Sequence, residues 1–577
     1  MKKIILFVII VFFHACSKPK GNGDNRSVLD LAIRDEIPTF DPSSAYDVVS
    51  STVMYQTYEQ LYEYNYLKRP FALKPLLAKS MPKIENNGKR YIIDIQKNVL
   101  YHGDPSLKKG RTLIAQDFIN QIKRLAFKPN NSNGWWLFDG KIKGLNEFRK
   151  QAGSDFQKYI DLKVSGLTAR GDHTLVIDLL EPYPQMIYAL SMSFTSPMPI
   201  ESIIHYKNNL SKNIIGTGPF KLEHSKTNSP IVLTKFKKYN LSYYPKKGDR
   251  RSHSKNLLVD AGKPLPFLDK INLHVIKKHD SRWESFINKK IDIISLSKEH
   301  LKIALNNFGE LKNNLKEKNI NLQISPTLTF WWLSFNMKDP LLGKNKDLRK
   351  AIAYAIDRDK FIDLSTNKTG QKANSIYPPG IPGYSPSKTI SIKYDLDLSK
   401  KLLKKAGYPD GKGLPPLQYD TRGDTELTKK QAEYIKSQMK KIGINLKIVV
   451  NSFTTFLKKV REGSLQLWMG GWSMDYPDAE NLLQLLYSKN SPPGPNATFF
   501  NNKQFDSNFK KFKKVYSIEE KNGLMKLMEE EVLKDLPWFM LYYQRTYTLF
   551  HNNIQNYRYS DIIPNIYKYL RIKKSNR

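Results

Sequence analysis

The sequence predicts an α/β protein built of more than one lobe, and three observations support that. The chain has 577 residues, 40% of them hydrophobic and 12% aromatic, which is several times the usual domain size and enough apolar material for more than one core. Segments whose apolar residues recur at every second position alternate with segments in which they recur at every third or fourth. There is no tandem repeat or long low-complexity stretch that would indicate a solenoid or a fibre.

Taken in order, Met1-Lys2-Lys3 is a basic start, Ile4 to Phe13 is an unbroken apolar run, and the small Ala15 precedes Cys16. This reads as a signal peptide over 1–15, too short to span a bilayer as a stable helix, and the chain is expected to be exported. Cys16 is the one cysteine and stands at the end of the signal peptide, so no intramolecular disulfide, thiolate cluster or Cys–His catalytic pair is expected in any folded domain. Residues 16–27 are rich in turn formers and read as a flexible tether, with ordered structure from Val28. Tyr91–Ile95 and Thr174–Leu179 carry strand patterns. Asp397 is placed to cap a helix bearing Leu398, Leu402, Leu403 and Ala406, which Gly407 stops. Leu427, Ile435, Met439 and Ile442 then line a second helix ended by Gly443, followed by alternating Ile444, Leu446 and Ile448.

Lys+Arg 93 against Asp+Glu 54 leaves a formal charge of +39. The lysines are scattered in pairs such as Lys108-Lys109 and Lys400-Lys401, which reads as solvated surface and gives no concentrated nucleic-acid footprint. The basic stretch 246–255 reads as a surface loop, or as a docking patch for anionic lipid or polymer. Enzyme signatures are absent: no GxxxxGK[ST] loop, HExxH helix, GxSxG elbow or EF-hand spacing occurs. His274 and His279 stand where a strand leaves for a turn, a poor ligand geometry. Gly216-Thr217-Gly218-Pro219-Phe220 reads as a tight turn in which glycines permit positive φ, since Pro219 removes an amide a phosphate cradle would use. The pair Asp357 and Asp359 reads as a solvated helix end. The expectation is a binding protein with no catalytic residue, metal or cofactor.

Further segments are Pro38-Thr39-Phe40-Asp41-Pro42, Tyr58-Glu59-Gln60-Leu61, Ala115-Gln116-Asp117-Phe118 and Phe267-Leu268-Asp269-Lys270-Ile271. Leu348 to Arg358 (LRKAIAYAIDR), Leu402 to Gly411 (LLKKAGYPDG) and Trp472 to Asp478 (WSMDYPD) follow. In order and spacing these resemble the oligopeptide- and dipeptide-binding family of solute-binding proteins of bacterial ABC importers, over nearly all of the mature chain. The residues also have a plain reading: Leu348, Ile352, Ala355 and Ile356 make an amphipathic core helix whose ends Arg349 and Asp357 fix. Phe13-His14-Ala15-Cys16 resembles the lipobox of bacterial lipoproteins, with Phe13 where Leu is usual and His14 where a small residue is usual. Lipidation of Cys16 is the expectation, and an ordinary signal peptide is the alternative.

The resemblance implies a two-lobed periplasmic-binding-protein (Venus-flytrap) fold with a third small inserted domain. Lobe I would comprise 28–62, 164–276 and 537–577, the inserted domain II 63–163, and lobe III 277–536. It implies a monomer on the periplasmic side of the bacterial cell envelope that captures short peptides between lobes and delivers them to an ABC permease, with the membrane reached through the N-terminal lipid and no nucleic-acid partner. By the same resemblance Asp475 pairs with the ligand's α-ammonium, the alternative being a cap for a helix starting near Pro477. Trp472 offers apolar area beside the ligand or packs the lobe, and the main chain at Gly470 and Gly471 permits close approach of a peptide backbone. Met469 stands where some peptide-binding members carry an Arg that meets the ligand carboxylate. Three rival readings remain: the same fold holding another solute (a metal chelate, a cell-wall fragment, an opine), a surface lipoprotein with no transport role, and an extracytoplasmic hydrolase, which the missing enzyme signatures disfavour.

Overall fold

The computed structural model describes residues 27–224, 229–383, 392–492 and 494–573; the signal peptide, Cys16 and the tether up to residue 26 lie outside them. A mixed sheet of eleven strands forms the backbone of the molecule. Its order is Leu446–Val449, Leu417–Asp420, Leu467–Ser473, Ile320–Phe335, Trp538–His551, Ile293–Ser295, Val28–Ile33, Lys270–Val275, Ile231–Lys235 and Phe220–His224, with Gln371–Lys372 also on Trp538–His551. Ile320–Phe335 and Trp538–His551 are antiparallel partners from Ile320↔His551 to Ser334↔Trp538. One end of this pair joins Ile293–Ser295 and the other joins Leu467–Ser473, so two long strands rich in β-branched and aromatic residues carry the sheet from one half of the molecule to the other. Their ladder is interrupted between Pro326 and Phe330. Proline has no amide to donate there, and the Leu328 amide turns instead to Asp561 Oδ2 at 2.7 Å.

Each face of the sheet has its own core. Phe330, Trp332, Trp538 and Tyr543 face one, with Leu482, Phe505 and Met528. Leu333, Phe335, Phe539 and Leu541 face the other, with Leu348, Ile352, Leu403, Ile435 and Met439. A separate four-stranded sheet, Lys83–Glu85, Arg90–Asp94, Thr174–Asp178 and Leu167–Ala169, packs with helix Ala115–Ala126 around a third core. A boundary at 163 would cut this sheet, so we place the exit of the inserted unit after Asp178.

The α/β alternation holds, with local corrections. The first of the two predicted helices runs Leu396–Lys405, and its cap is Asp395, not Asp397: extended Asp395 accepts from the Leu398 amide, leaving Asp397 in the first turn, where its charge suits the helix dipole. Gly407 and Gly443 take left-handed φ of 95° and 80° as the stops. Leu348, Ile352, Ala355 and Ile356 are buried as expected, but Arg349 serves a different helix, donating to the carbonyl of Asp535 at the end of Ile518–Asp535. Asp357 likewise caps the next helix, Arg358–Thr366. The stretch 246–255 is not simply a loop: Asp249 caps Arg250–Ser254 and pairs with the buried Arg558 at 2.6 Å. Gly216 and Gly218 are required for close approach and not for positive φ, since a Cβ at Gly216 would lie 1.8 Å from the Thr57 oxygen. Asp41 pairs with the buried Arg124 at 2.6 Å and Asp117 with Arg111 at 2.7 Å, so these motif acids hold the scaffold.

Candidate functional site

Strand Leu467–Ser473 has the sequence LWMGGWS, two glycines between tryptophans. Along one edge it pairs with Thr329–Phe335 throughout. Its other edge pairs with Leu417–Asp420 only at Leu467 and Trp468, which leaves Met469 to Ser473 without a strand partner on that side among the described residues. Gly471 stands opposite Trp331 and Gly470 opposite Trp332. A Cβ on either glycine would meet the facing indole at 2.4 Å, so the tryptophans by themselves require glycine here.

The Gly471 carbonyl accepts from Arg422 Nη1 at 3.2 Å. That guanidinium lies over Trp331 at 5.2 Å and Phe453 at 5.6 Å. Burial lowers its pKa. Arg422, Trp331 and Met469 line a cavity of ≈ 440 Å³ together with Tyr542, Gln544 and Arg545.

Beyond the strand, Asp475 is half-buried and tied on three sides. Its Oδ1 accepts from the Tyr46 hydroxyl at 2.7 Å, its Oδ2 accepts from Asn481 Nδ2 at 3.1 Å, and its amide donates to Asn481 Oδ1 at 3.2 Å. The same Asn481 oxygen accepts from the Trp472 indole at 2.8 Å. Asn481 is fully buried, so it fixes Trp472 and Asp475 against each other. Burial first, and then the negative charge of Asp475, pushes the Tyr46 phenol up. Asp475 is not a helix cap: the next helix, Glu480–Leu483, begins after Ala479, and Asp478 accepts from the Glu480 amide. Trp472 packs against the core with its indole N–H anchored, so packing is part of its role. Of the expected site residues, Asp475 and Trp472 therefore meet through Asn481, and Gly470 and Gly471 belong to the strand leading to them. Sequence reading missed Tyr46, Arg422 and Asn481; the one local signal was an Asn six positions past Asp475. Among the described residues no group of three or more His, Cys, Asp or Glu is placed to hold a metal ion.

Residues 72–493 match the family model for bacterial extracellular solute-binding proteins, family 5 (middle region). The chain belongs to this family. Among its relatives, the dipeptide-binding protein of Escherichia coli (strain K12) is 24% identical over 419 residues, covering 70% of this chain and 69% of the relative. Heme-binding protein A of Haemophilus influenzae is 24% identical over 489 residues, covering 84% and 81%. The structure of HbpA2 from Haemophilus parasuis superposes with a TM-score of 0.77 at 20% identity, over 95% of this chain and 100% of that one. The family-5 protein thus has the two-lobed periplasmic-binding-protein fold with its small inserted domain. No helix among its described residues is long and apolar enough to cross a membrane.

Proposed function

We propose that this family-5 protein is the substrate-binding component of an ABC importer, capturing short peptides between its lobes and delivering them to a membrane permease. In this reading it is held on the periplasmic side of the bacterial envelope by lipid on Cys16, and it acts as a monomer. One observation carries the peptide reading: a carboxylate, Asp475, and a guanidinium, Arg422, with no carboxylate partner among the described residues, flank the same strand edge, which those residues leave unpaired. Four extended residues span at most about 14 Å, so the run from Gly471 to Asp475 suits a peptide of two to four residues with its ammonium at Asp475 and its carboxylate at Arg422. Between those ends the outward N–H and C=O groups from Gly470 to Ser473, apart from the Gly471 carbonyl that Arg422 holds, add the ligand as a strand, which binds backbone irrespective of sequence. Arg422 takes over the task that Met469 is unable to perform. The relative named for dipeptides supports this reading.

The work is binding and closure, and no bond is made or broken. Ligand contacts to both halves shift an open–closed equilibrium. Asp475→Asn tests the amine end. Peptides with a free amine are expected to bind about 100-fold more weakly, the cost of breaking a shielded ion pair, while N-acetylated peptides are unchanged. Equal loss for both ends the assignment. The relative named for heme supports the rival of another solute in the same fold. Native mass spectrometry of protein taken from the cell envelope decides between them, since one defined small molecule in place of a mixture of short peptides removes the peptide reading.

A further inference from the structure

The cavity beside Arg422 holds more positive charge than a single terminal carboxylate needs. Arg545 lines it at half burial and Lys298 stands on its exposed side, while none of its lining residues is Asp or Glu. Among the described residues the hydrogen bonds of these three cations go to neutral oxygens: Arg422 to Gly471 O at 3.2 Å, Arg545 Nη2 to Gln371 Oε1 at 3.2 Å, and Lys298 Nζ to Leu364 O at 3.1 Å. A guanidinium has five donors in a planar fork suited to a carboxylate, so one bond to an amide oxygen leaves most of that capacity unused. The Arg422 charge is held partly out of water, which is costly, and an anion entering the cavity relieves that cost while also meeting Arg545 and Lys298. At ≈ 440 Å³ the space is in the range of ligand pockets, roughly 300–1,000 Å³, and exceeds what a carboxylate alone fills. Trp331 and Tyr542 supply apolar walls for the carbons that carry the charge.

We propose that this cavity is a second anion subsite, which selects peptides whose carboxyl-terminal residue is itself acidic. Arg422 meets the terminal carboxylate, and Arg545, with Lys298 at the edge, meets the carboxylate of a terminal Glu or Asp side chain. The inference rests on the peptide reading and adds a substrate class to it.

The test is calorimetric titration of the purified protein with Ala-Ala-Glu, Ala-Ala-Ala and Ala-Ala-Lys. Ala-Ala-Glu is expected to bind about 10-fold more tightly than Ala-Ala-Ala, and Ala-Ala-Lys more weakly, with the spread shrinking in high salt. Arg545→Gln is expected to erase the preference for Glu while leaving Ala-Ala-Ala within about 2-fold, and Arg545→Lys to restore part of it. Equal binding of Ala-Ala-Glu and Ala-Ala-Ala, or a preference that survives Arg545→Gln, overturns the proposal. If no tripeptide binds, the peptide reading has failed, and N-acetylglutamate alone then probes the subsite through the indole emission that disappears in Trp331→Phe. A change in that emission that is lost in Arg545→Gln upholds the anion subsite, and no change overturns it.

Discussion

Tyr46 and Asp475 lie 429 positions apart in sequence, yet a 2.7 Å hydrogen bond joins them. Tyr46 is 51% exposed, so this bond is made at a surface between segments and not inside a core. A bond to a carboxylate in such a setting contributes on the order of 1 kcal/mol, about a 5-fold shift between a joined and a separated arrangement. Tyr46→Phe is therefore expected to enlarge the ligand-free protein in small-angle X-ray scattering, with peptide restoring the compact form. An unchanged radius of gyration in both states would show that the bond has no part in closure. The sequence singles out Asp475 and Trp472 because they sit inside one short motif. It does not single out Tyr46 and Arg422, since nothing in a linear string marks a tyrosine or arginine that only the sheet brings beside that motif. Asn481 lay within reach, but an Asn near a helix start reads as a cap before it reads as a bridge.

At the scale of the element, strand Leu467–Ser473 shows how glycine can be demanded by packing while leaving an edge open. Its glycines were legible as sites of close approach, but the sequence pointed to the ligand as the approaching group, whereas the structure places Trp331 and Trp332 against them. The reason is cross-strand register, which depends on a partner more than a hundred residues away in the chain. Gly471→Ala is accordingly expected to destabilise the protein by about 1–3 kcal/mol through overpacking, read as a lower urea midpoint at unchanged slope. Replacing the facing indole in the double variant Gly471→Ala/Trp331→Leu should return part of that loss, and the absence of any coupling would refute the packing account. The helix Leu396–Lys405 was legible to within its cap. Asp395 and Asp397 satisfy the same local pattern, and only the extended backbone at Asp395 separates them.

For the whole molecule, three distant segments are tied together by buried charge. Glu59 and Glu63, from one of the resemblance segments and its continuation, meet Lys568 near the C-terminus and Tyr239 from the middle of the chain. Glu63 is bonded to Lys568 at 2.7 Å, Asn565 at 2.7 Å and Lys74 at 2.8 Å. Burial acting alone would raise Glu63, but the two lysines outweigh it and bring the carboxyl down to about 2. Glu59, with a 2.6 Å bond from the Tyr239 hydroxyl, is raised to about 7, because burial exceeds the help from Lys568 and Glu63 adds repulsion. The two groups act in opposite directions. Glu59 binds its proton more tightly folded than unfolded, so its contribution is most favourable below about pH 4.5 and is lost as pH rises toward 7. Glu63 binds its proton less tightly folded, so its contribution is present above about pH 4.5 and is lost as pH falls toward 2. Stability is therefore expected to fall between pH 5 and 7 by up to about 3 kcal/mol from Glu59. In urea titrations Glu59→Gln should flatten that slope and raise the midpoint at pH 8. Glu63→Gln should lower stability at pH 7, because Lys568 then loses its ion-pair partner in the interior. A slope between pH 5 and 7 that is the same in wild type and Glu59→Gln would mean that the junction is held by packing alone.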